Sequence, residues 1–153
     1  MTLGSIHVHP KSTRWITPRS ILDPLGVFDL DPCADVEQPW KTAEEMWTDG
    51  GLDREWFGRV WLNPPYGRET AAWLRKMAEH GDGIALVFAR TDTRMFHESV
   101  FGRAKALCFF RGRPKFHRPD GSTLGNSGGA LVLIGYGDYD KEILLGCGLG
   151  VVP

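Results

Sequence analysis

The sequence of 153 residues predicts one compact α/β domain built around a mostly parallel sheet. Short apolar segments alternate along the chain with segments of helical spacing, which is the pattern of consecutive strand–helix–strand units. The run Gly83 to Ala89 (GIALVFA) is apolar at nearly every position, as in strands that a parallel sheet buries on both faces. Two shorter strand candidates end abruptly at prolines. We therefore expect the domain to cover residues 15–153, after a loosely ordered segment 1–14.

The first third of the chain predicts a short helix followed by two short strands. Thr17 has the side chain of a helix N-cap and Pro18 suits the first helical position, so we expect a helix that stops near Pro24 to Gly26. Val27 to Leu30 is a strand candidate that Asp31-Pro32 closes, and Val60 to Leu62 is a second one. Residues 35–58 between them are polar and rich in tryptophan.

The rest of the chain predicts two helices and three strands. Helical spacing covers residues 69–80 before Gly81, and a second helix is expected over 93–101 with Thr91 or Asp92 as its cap. After the strand at 83–89, apolar strands follow at 106–110 and 130–134, and the tail at 139–145 fits either a helix or a strand. No helical pattern separates the last two strands, which favours their antiparallel pairing at one edge of the sheet.

Composition excludes several classes of protein. The net charge of −1 gives no bulk attraction to nucleic acid, so a DNA site would have to be a local basic patch. The three cysteines form no CxxC pair, which argues against a disulfide framework or a zinc site and favours reduced thiols in a cytoplasm. The sequence shows no signal-peptide pattern and no apolar stretch of transmembrane length, so we expect a cytoplasmic protein without a membrane partner.

The segment Asn63-Pro64-Pro65-Tyr66 directly after an apolar strand is the strongest functional signal. Two prolines make a stiff turn without backbone donors, so its carbonyls are available as acceptors. The Asn63 side chain adds a further acceptor, and Tyr66 adds an aromatic face. Two acceptors can hold both hydrogens of one NH₂ group and favour a pyramidal nitrogen with a localised lone pair. This arrangement suits methyl transfer to an exocyclic amine, with charge on nitrogen stabilised by preorganised acceptors.

The sequence resembles the phage-type DNA N6-adenine methyltransferases. The resemblance rests on several blocks that occur in the same order and cover nearly the whole chain from residue 15. They are WITP (15–18), FDLDPCAD (28–35), DGGL (49–52), VWLNPPYG (60–67), W-x-x-K (73–76), ARTDTRMFH (89–97) and FFRGRPKF (109–116).

The resemblance implies a Rossmann-like methyltransferase fold, S-adenosylmethionine as cofactor and double-stranded DNA as substrate, with the target adenine swung out of the duplex onto Tyr66. It implies that the end of the first strand binds the methionine part of the cofactor, with Asp31 facing the α-ammonium group, although a turn cap would also explain this aspartate. Asp49 would contact the adenosine half. The expected cofactor-binding residues are Thr17, Pro18, Asp31, Pro32, Cys33, Ala34 and Asp49.

One departure from the general methyltransferase pattern concerns the cofactor loop. Many methyltransferases have a glycine-rich DxFxGxG loop after the first strand, whereas this sequence has DPCAD, as the phage-type family also does. No acidic residue at the end of a second strand is evident for the ribose hydroxyls.

A basic segment without Asp or Glu runs from Ser99 to Pro119 and is expected to lie beside the catalytic face. Clustered cations suit contacts with phosphates, although a solvated charged loop would explain them as well. The glycine-rich part that follows, 121–129, is expected to be a mobile loop. Arg90, close after the central strand, would lie on the same rim. The expected DNA-binding residues are Arg90, Arg111, Arg113, Lys115 and Arg118.

Two other functions fit parts of this pattern. An NPPY site also serves methylation of cytosine N4 or of a protein glutamine, although the basic segment with its phenylalanines favours nucleic acid. A DNA-binding relative that has lost catalysis is the second alternative, and the intact NPPY and DPCAD segments argue against it. The sequence does not fix the DNA sequence recognised or the oligomeric state.

Overall fold

A seven-stranded mixed sheet forms the centre of the computed structural model, which describes residues 15–126 and 128–153. A separate two-stranded hairpin follows the fifth strand in the chain. The strands are β1 (Leu30–Asp31), β2 (Glu45–Met46), β3 (Val60–Leu62), β4 (Gly83–Phe88), β5 (Ala106–Phe110), β6 (Lys115–His117), β7 (Thr123–Asn126), β8 (Leu131–Gly135) and β9 (Gly150–Val151). The order across the large sheet is β2-β1-β3-β4-β8-β5-β9, and β6 pairs with β7.

The large sheet is parallel on one side and antiparallel on the other. Strands β2, β1, β3 and β4 are parallel neighbours, whereas β8 is antiparallel to both β4 and β5. The α/β fold with a largely parallel core is therefore confirmed, but the antiparallel strand β8 lies inside the sheet and not at its edge. All residues of β8 are buried, so this strand needs a neighbour on each side. The described edge on this side is β9, antiparallel to β5.

The described residues form four α-helices, α1 (Arg19–Leu22), α2 (Thr70–His80), α3 (Arg94–Ser99) and α4 (Asp138–Gly146), and two short 3-10 helices at Asp23–Leu25 and Gly51–Asp53. Helix α2 buries Trp73, Leu74 and Met77 against the sheet and ends at Gly81, whose positive φ of 77° suits glycine. The tail that fitted a helix or a strand is α4, and β9 follows it. Each face of the sheet carries its own apolar cluster.

Two predicted helix caps are wrong by one or two residues. The N-cap of α1 is Pro18, not Thr17, and no side chain caps this helix. The N-cap of α3 is Thr93, whose Oγ1 accepts a hydrogen bond from the Phe96 amide, not Thr91 or Asp92. In both cases a neighbouring residue has the extended backbone of an N-cap, and only the three-dimensional course of the chain decides between them.

The β6–β7 hairpin is joined to the beginning of the described chain. Ile16 and His117 exchange backbone hydrogen bonds of 2.9 and 3.0 Å. The glycine-rich segment expected to be a loop contains β7, because its backbone pairs with β6. The predicted loose order of residues 1–14 concerns residues outside the described part. Within the described part, no helix has the length and apolar character needed to cross a bilayer.

Candidate functional site

A cavity of about 480 Å³ opens at the carboxyl ends of β1, β2 and β3. Volumes of this order are typical of small-molecule sites, and this edge of a parallel sheet is where ligands commonly bind. The cavity brings together segments that are far apart in the chain. The residues that sequence analysis assigned to catalysis or cofactor binding and that line it are Thr17, Asp31, Pro32, Cys33, Ala34, Asp49, Asn63, Pro64, Pro65 and Tyr66.

The Asn63 side chain has a fixed orientation at the end of β3. Its Nδ2 donates to the backbone carbonyl of Trp15 at 2.9 Å and to Oγ1 of Thr17 at 3.1 Å. A backbone carbonyl can only accept, so the nitrogen of the amide must face Trp15. Consequently Oδ1 is the atom of this side chain that remains available, and it accepts a long hydrogen bond of 3.4 Å from the Tyr66 hydroxyl.

Tyr66 lies in an aromatic cluster beside this amide. Its ring centroid is 4.7 Å from that of Phe88 and 5.9 Å from that of Trp15, which it meets edge to face. Burial raises the pKa of the Tyr66 hydroxyl above its usual range, so this group stays neutral and remains a donor. The cluster forms an apolar wall of the kind on which a planar ring can stack.

The two prolines of the turn differ in their surroundings. Pro64 is buried, and no hydrogen bond to its carbonyl is seen within the described residues. The Pro65 carbonyl accepts from Oγ1 of Thr70 at 2.6 Å, and the same hydroxyl receives a bond of 3.1 Å from the Gly67 amide. Thr70 therefore fixes the exit of the turn into α2.

Asp31 is a buried carboxylate at the end of β1, with 3% of its surface exposed. Its Oδ1 accepts from the Cys33 amide at 3.0 Å and its Oδ2 accepts from the Thr42 hydroxyl. Within the described residues, no cation forms an ion pair with it. Burial raises the pKa of Asp31 to about 6, against the opposing effect of its two hydrogen bonds. The site thus holds an acidic group that a cationic ligand group would stabilise in its charged form.

A glycine loop after β2 brings the chain close to Asp31-Pro32. A Cβ on Gly51 would lie 2.1 Å from the Pro32 carbonyl oxygen and 2.8 Å from the Trp73 ring, so only glycine permits this approach. Asp49 lies in this loop, beyond the carboxyl end of β2, and lines the cavity. The sequence showed no acidic residue after a second strand because β2 has two residues, neither of them buried, and thus lacks an apolar signal.

Several residues that line the cavity were not predicted from the sequence, because only tertiary contacts bring them to the cavity. Trp15 and Trp73 belong to the sequence blocks of the resemblance but had no assigned role, and Gln38 and Thr42 carried no signal. Trp15, Gln38 and Trp73 each have a buried side-chain nitrogen without a hydrogen-bond partner within the described residues. These three nitrogens have almost no exposed surface, so they belong to the packed wall of the cavity and not to its open face. Pro18, in contrast, is buried but does not line the cavity.

The basic residues expected to bind DNA lie outside the cavity. Arg90 is exposed, and its guanidinium lies 5.3 Å from the centroid of Phe88, a neighbour of Tyr66. The others are exposed on or just before the hairpin: Arg111, Arg113, Lys115 and Arg118. The hairpin contacts the cavity wall through Phe116, which is buried and 5.1 Å from the Trp15 ring.

Comparison of the chain with protein family models, with curated proteins and with solved structures finds no match. The geometry of the cavity therefore carries the functional argument. Among the described residues, no group of three or more histidine, cysteine, aspartate or glutamate side chains is placed to hold a metal ion.

Proposed function

We propose that this protein is an S-adenosylmethionine-dependent DNA methyltransferase that acts on N6 of adenine. The observation that carries the proposal is the juxtaposition of the Asn63-Pro64-Pro65-Tyr66 turn and the buried Asp31 in one cavity at the carboxyl edge of the sheet. The first supplies acceptors for an amine, and the second supplies a negative charge for an ammonium group. The resemblance to the phage-type enzymes and the parallel strands β2, β1, β3 and β4, at whose carboxyl edge the cavity lies, support this proposal and the Rossmann-like fold that it implies.

The residues present fit S-adenosylmethionine. Its α-ammonium group would pair with Asp31, and its adenosine half would lie towards the loop of Asp49 and Gly51. The cavity volume of about 480 Å³ is sufficient for a nucleoside-sized molecule. Bound there, S-adenosylmethionine supplies a methyl group on a sulfonium, whose transfer to an amine gives S-adenosylhomocysteine, a methylated amine and a proton.

Asn63 and the proline turn would hold the amine of the target base. Oδ1 of Asn63 accepts one hydrogen and replaces its long bond from the Tyr66 hydroxyl. The Pro64 carbonyl is the better candidate for the second hydrogen, because the Pro65 carbonyl already accepts from Thr70. Both acceptors gain strength as positive charge develops on the nitrogen, so they stabilise the transition state more than the bound substrate.

The aromatic cluster would replace the stacking that the base loses outside the duplex. Tyr66 offers its ring, and Phe88 and Trp15 hold that ring in place. Stacking of one base on an aromatic side chain contributes about 1–3 kcal/mol. The exposed cations of the hairpin and Arg90 are suited to phosphates of the DNA around the extruded base.

The test is incubation of the protein with methyl-labelled S-adenosylmethionine and unmethylated duplex DNA, followed by nucleoside analysis. We expect label in N6-methyladenine, and its rate of appearance should fall by about 10²-fold or more when the Asn63→Ala variant replaces the parent. Label in N4-methylcytosine or in protein alone would leave the chemistry in place and reject adenine as the acceptor. Absence of transfer by a protein that binds the cofactor would favour a DNA-binding relative without catalysis.

A further inference from the structure

The segment Trp15 to Thr17 holds the Asn63 amide more firmly than a surface turn requires. Both hydrogens of its nitrogen are engaged, by the Trp15 carbonyl at 2.9 Å and by Oγ1 of Thr17 at 3.1 Å. The Thr17 side chain is buried, with 2% of its surface exposed, so water does not replace this hydroxyl. The backbone carbonyl of Thr17 accepts a hydrogen bond from Nε1 of Trp40 at 2.9 Å, and this bond fixes the backbone that carries the hydroxyl.

An asparagine amide that is free to rotate by 180° about its last bond offers either its oxygen or its nitrogen to a ligand. Only the oxygen can accept a hydrogen from an amine, and the nitrogen would repel one. The Trp15 carbonyl can only accept, so the flipped amide would place oxygen against oxygen there, and this carbonyl selects the orientation in which Oδ1 is available. The Thr17 hydroxyl accepts the second hydrogen of the nitrogen and holds the selected orientation in place.

We propose that Thr17 is a positioning residue whose hydroxyl, together with the Trp15 carbonyl, holds the Asn63 amide with its oxygen ready to accept the substrate amine. This inference rests on the proposed function and gives Thr17 a role different from the cofactor contact that the resemblance implies. The backbone bridge between Ile16 and His117 connects the segment from Trp15 to Thr17 to the β6–β7 hairpin.

The test compares Thr17→Val, which keeps the shape and removes the hydroxyl, with Thr17→Ser, which keeps the hydroxyl. We expect Thr17→Val to lower kcat for methyl transfer about fivefold to tenfold, the scale of one buried hydrogen bond. The KM for S-adenosylmethionine should stay near that of the parent, and Thr17→Ser should recover most of kcat. In an Asn63→Ala background, Thr17→Val should have no further effect, because it acts through Asn63. A raised KM with unchanged kcat would instead make Thr17 a cofactor contact and overturn the inference.

A second measurement does not depend on activity. The Asn63 side-chain NH₂ signals in the ¹⁵N spectrum are identified by their loss in Asn63→Ala. We expect Thr17→Val to shift these signals and speed their hydrogen exchange, and Thr17→Ser to leave them near their original positions. Unchanged signals in Thr17→Val would overturn the inference even in an active enzyme. Shifted signals in a protein without methyl transfer would support the orienting role while rejecting the proposed function.

Discussion

Asp31 and Asp140 are both buried carboxylates, and they lie at opposite edges of the same sheet. At the amino edge of β4, Asp140 is fully buried and forms an ion pair of 2.7 Å with Nε of Arg59. It also accepts from the amides of Gly83 at 2.7 Å and Gly137 at 3.0 Å. At the carboxyl edge, Asp31 has hydrogen bonds from Thr42 and the Cys33 amide, but no ion pair within the described residues.

The two aspartates differ in how their charges are compensated. Asp140 is neutralised within the protein and joins the starts of β3 and β4 to α4, so its contribution is to stability. Asp31 is held in place by neutral donors and leaves its charge uncompensated beside an open cavity. A carboxylate with a raised pKa in a cleft is a candidate for function.

The largest expected effect is on the ion-paired side. Asp140→Asn leaves the Arg59 guanidinium, itself 7% exposed, without a counterion. We expect the free energy of unfolding to fall by about 3–5 kcal/mol, measured by urea denaturation. Asp138→Asn on the same helix is the matched control, because the exposed pair of Asp138 and Lys105 contributes less than about 1 kcal/mol. Equal effects of the two substitutions would reject the structural role of Asp140.

A substitution in the cavity should lower the turnover of the enzyme and leave the stability of the fold unchanged. Asn63→Ala should lower kcat for methyl transfer to duplex DNA by about 10²-fold or more, the scale of one preorganised polar group. The rise in melting temperature expected with S-adenosylmethionine should remain, since the proposed mechanism places Asn63 against the amine and not against the cofactor. Single-turnover kinetics with calorimetric melting measure both quantities. Full activity of this variant would reject the proposed mechanism.

The exposed cations of the β6–β7 hairpin provide a test at the protein surface. Arg113→Ala with Lys115→Ala should weaken DNA binding about tenfold and reduce the slope of log affinity against log salt by about 1.8, since each phosphate contact contributes about 0.9. The matched control removes two exposed cations from helices, Arg75 in α2 and Lys141 in α4. If both pairs lower the slope equally, the attraction is a general charge effect and the hairpin is not a DNA site.

The last expected effect is a pH dependence at Asp31. Because burial raises its pKa from 3.8 to about 6, ionisation of this group opposes folding, and the free energy of unfolding falls as the pH rises through that interval. An ammonium ligand needs the ionised form, so affinity for S-adenosylmethionine should fall below pH 6 by up to about tenfold per pH unit. Asp31→Asn should weaken binding and flatten both profiles. An unchanged binding profile in this variant would exclude Asp31 from the cofactor site.

The sequence predicted best the elements with a strong apolar pattern. Strands β3, β4, β5 and β8 and helix α2 were predicted close to their observed bounds because their apolar patterns are strong. Strand β1 is shorter than predicted, since Val27 is 71% exposed. Strands β2 and β9 were missed because each has two residues and forms only by pairing with a neighbour.

The candidate site likewise has residues that the sequence predicted and contacts that it did not. The placement of Asn63 and Asp31 at the cavity was predictable, because each precedes a proline directly after an apolar strand segment. The contacts that orient them were not predictable. Thr17 looked like a helix cap, Thr42 carried no signal, and both reach the site through tertiary contacts across the chain.

The bridge between Ile16 and His117 has a consequence for the order of folding. It closes a loop of about a hundred residues, and contacts of such long sequence separation form late because their loop-closure entropy must be overcome first. The parallel strands pair without this bridge, whereas the segment that contacts the Asn63 amide gains two backbone hydrogen bonds once the hairpin is present. During synthesis the first four strands can therefore assemble before His117 is available to this segment.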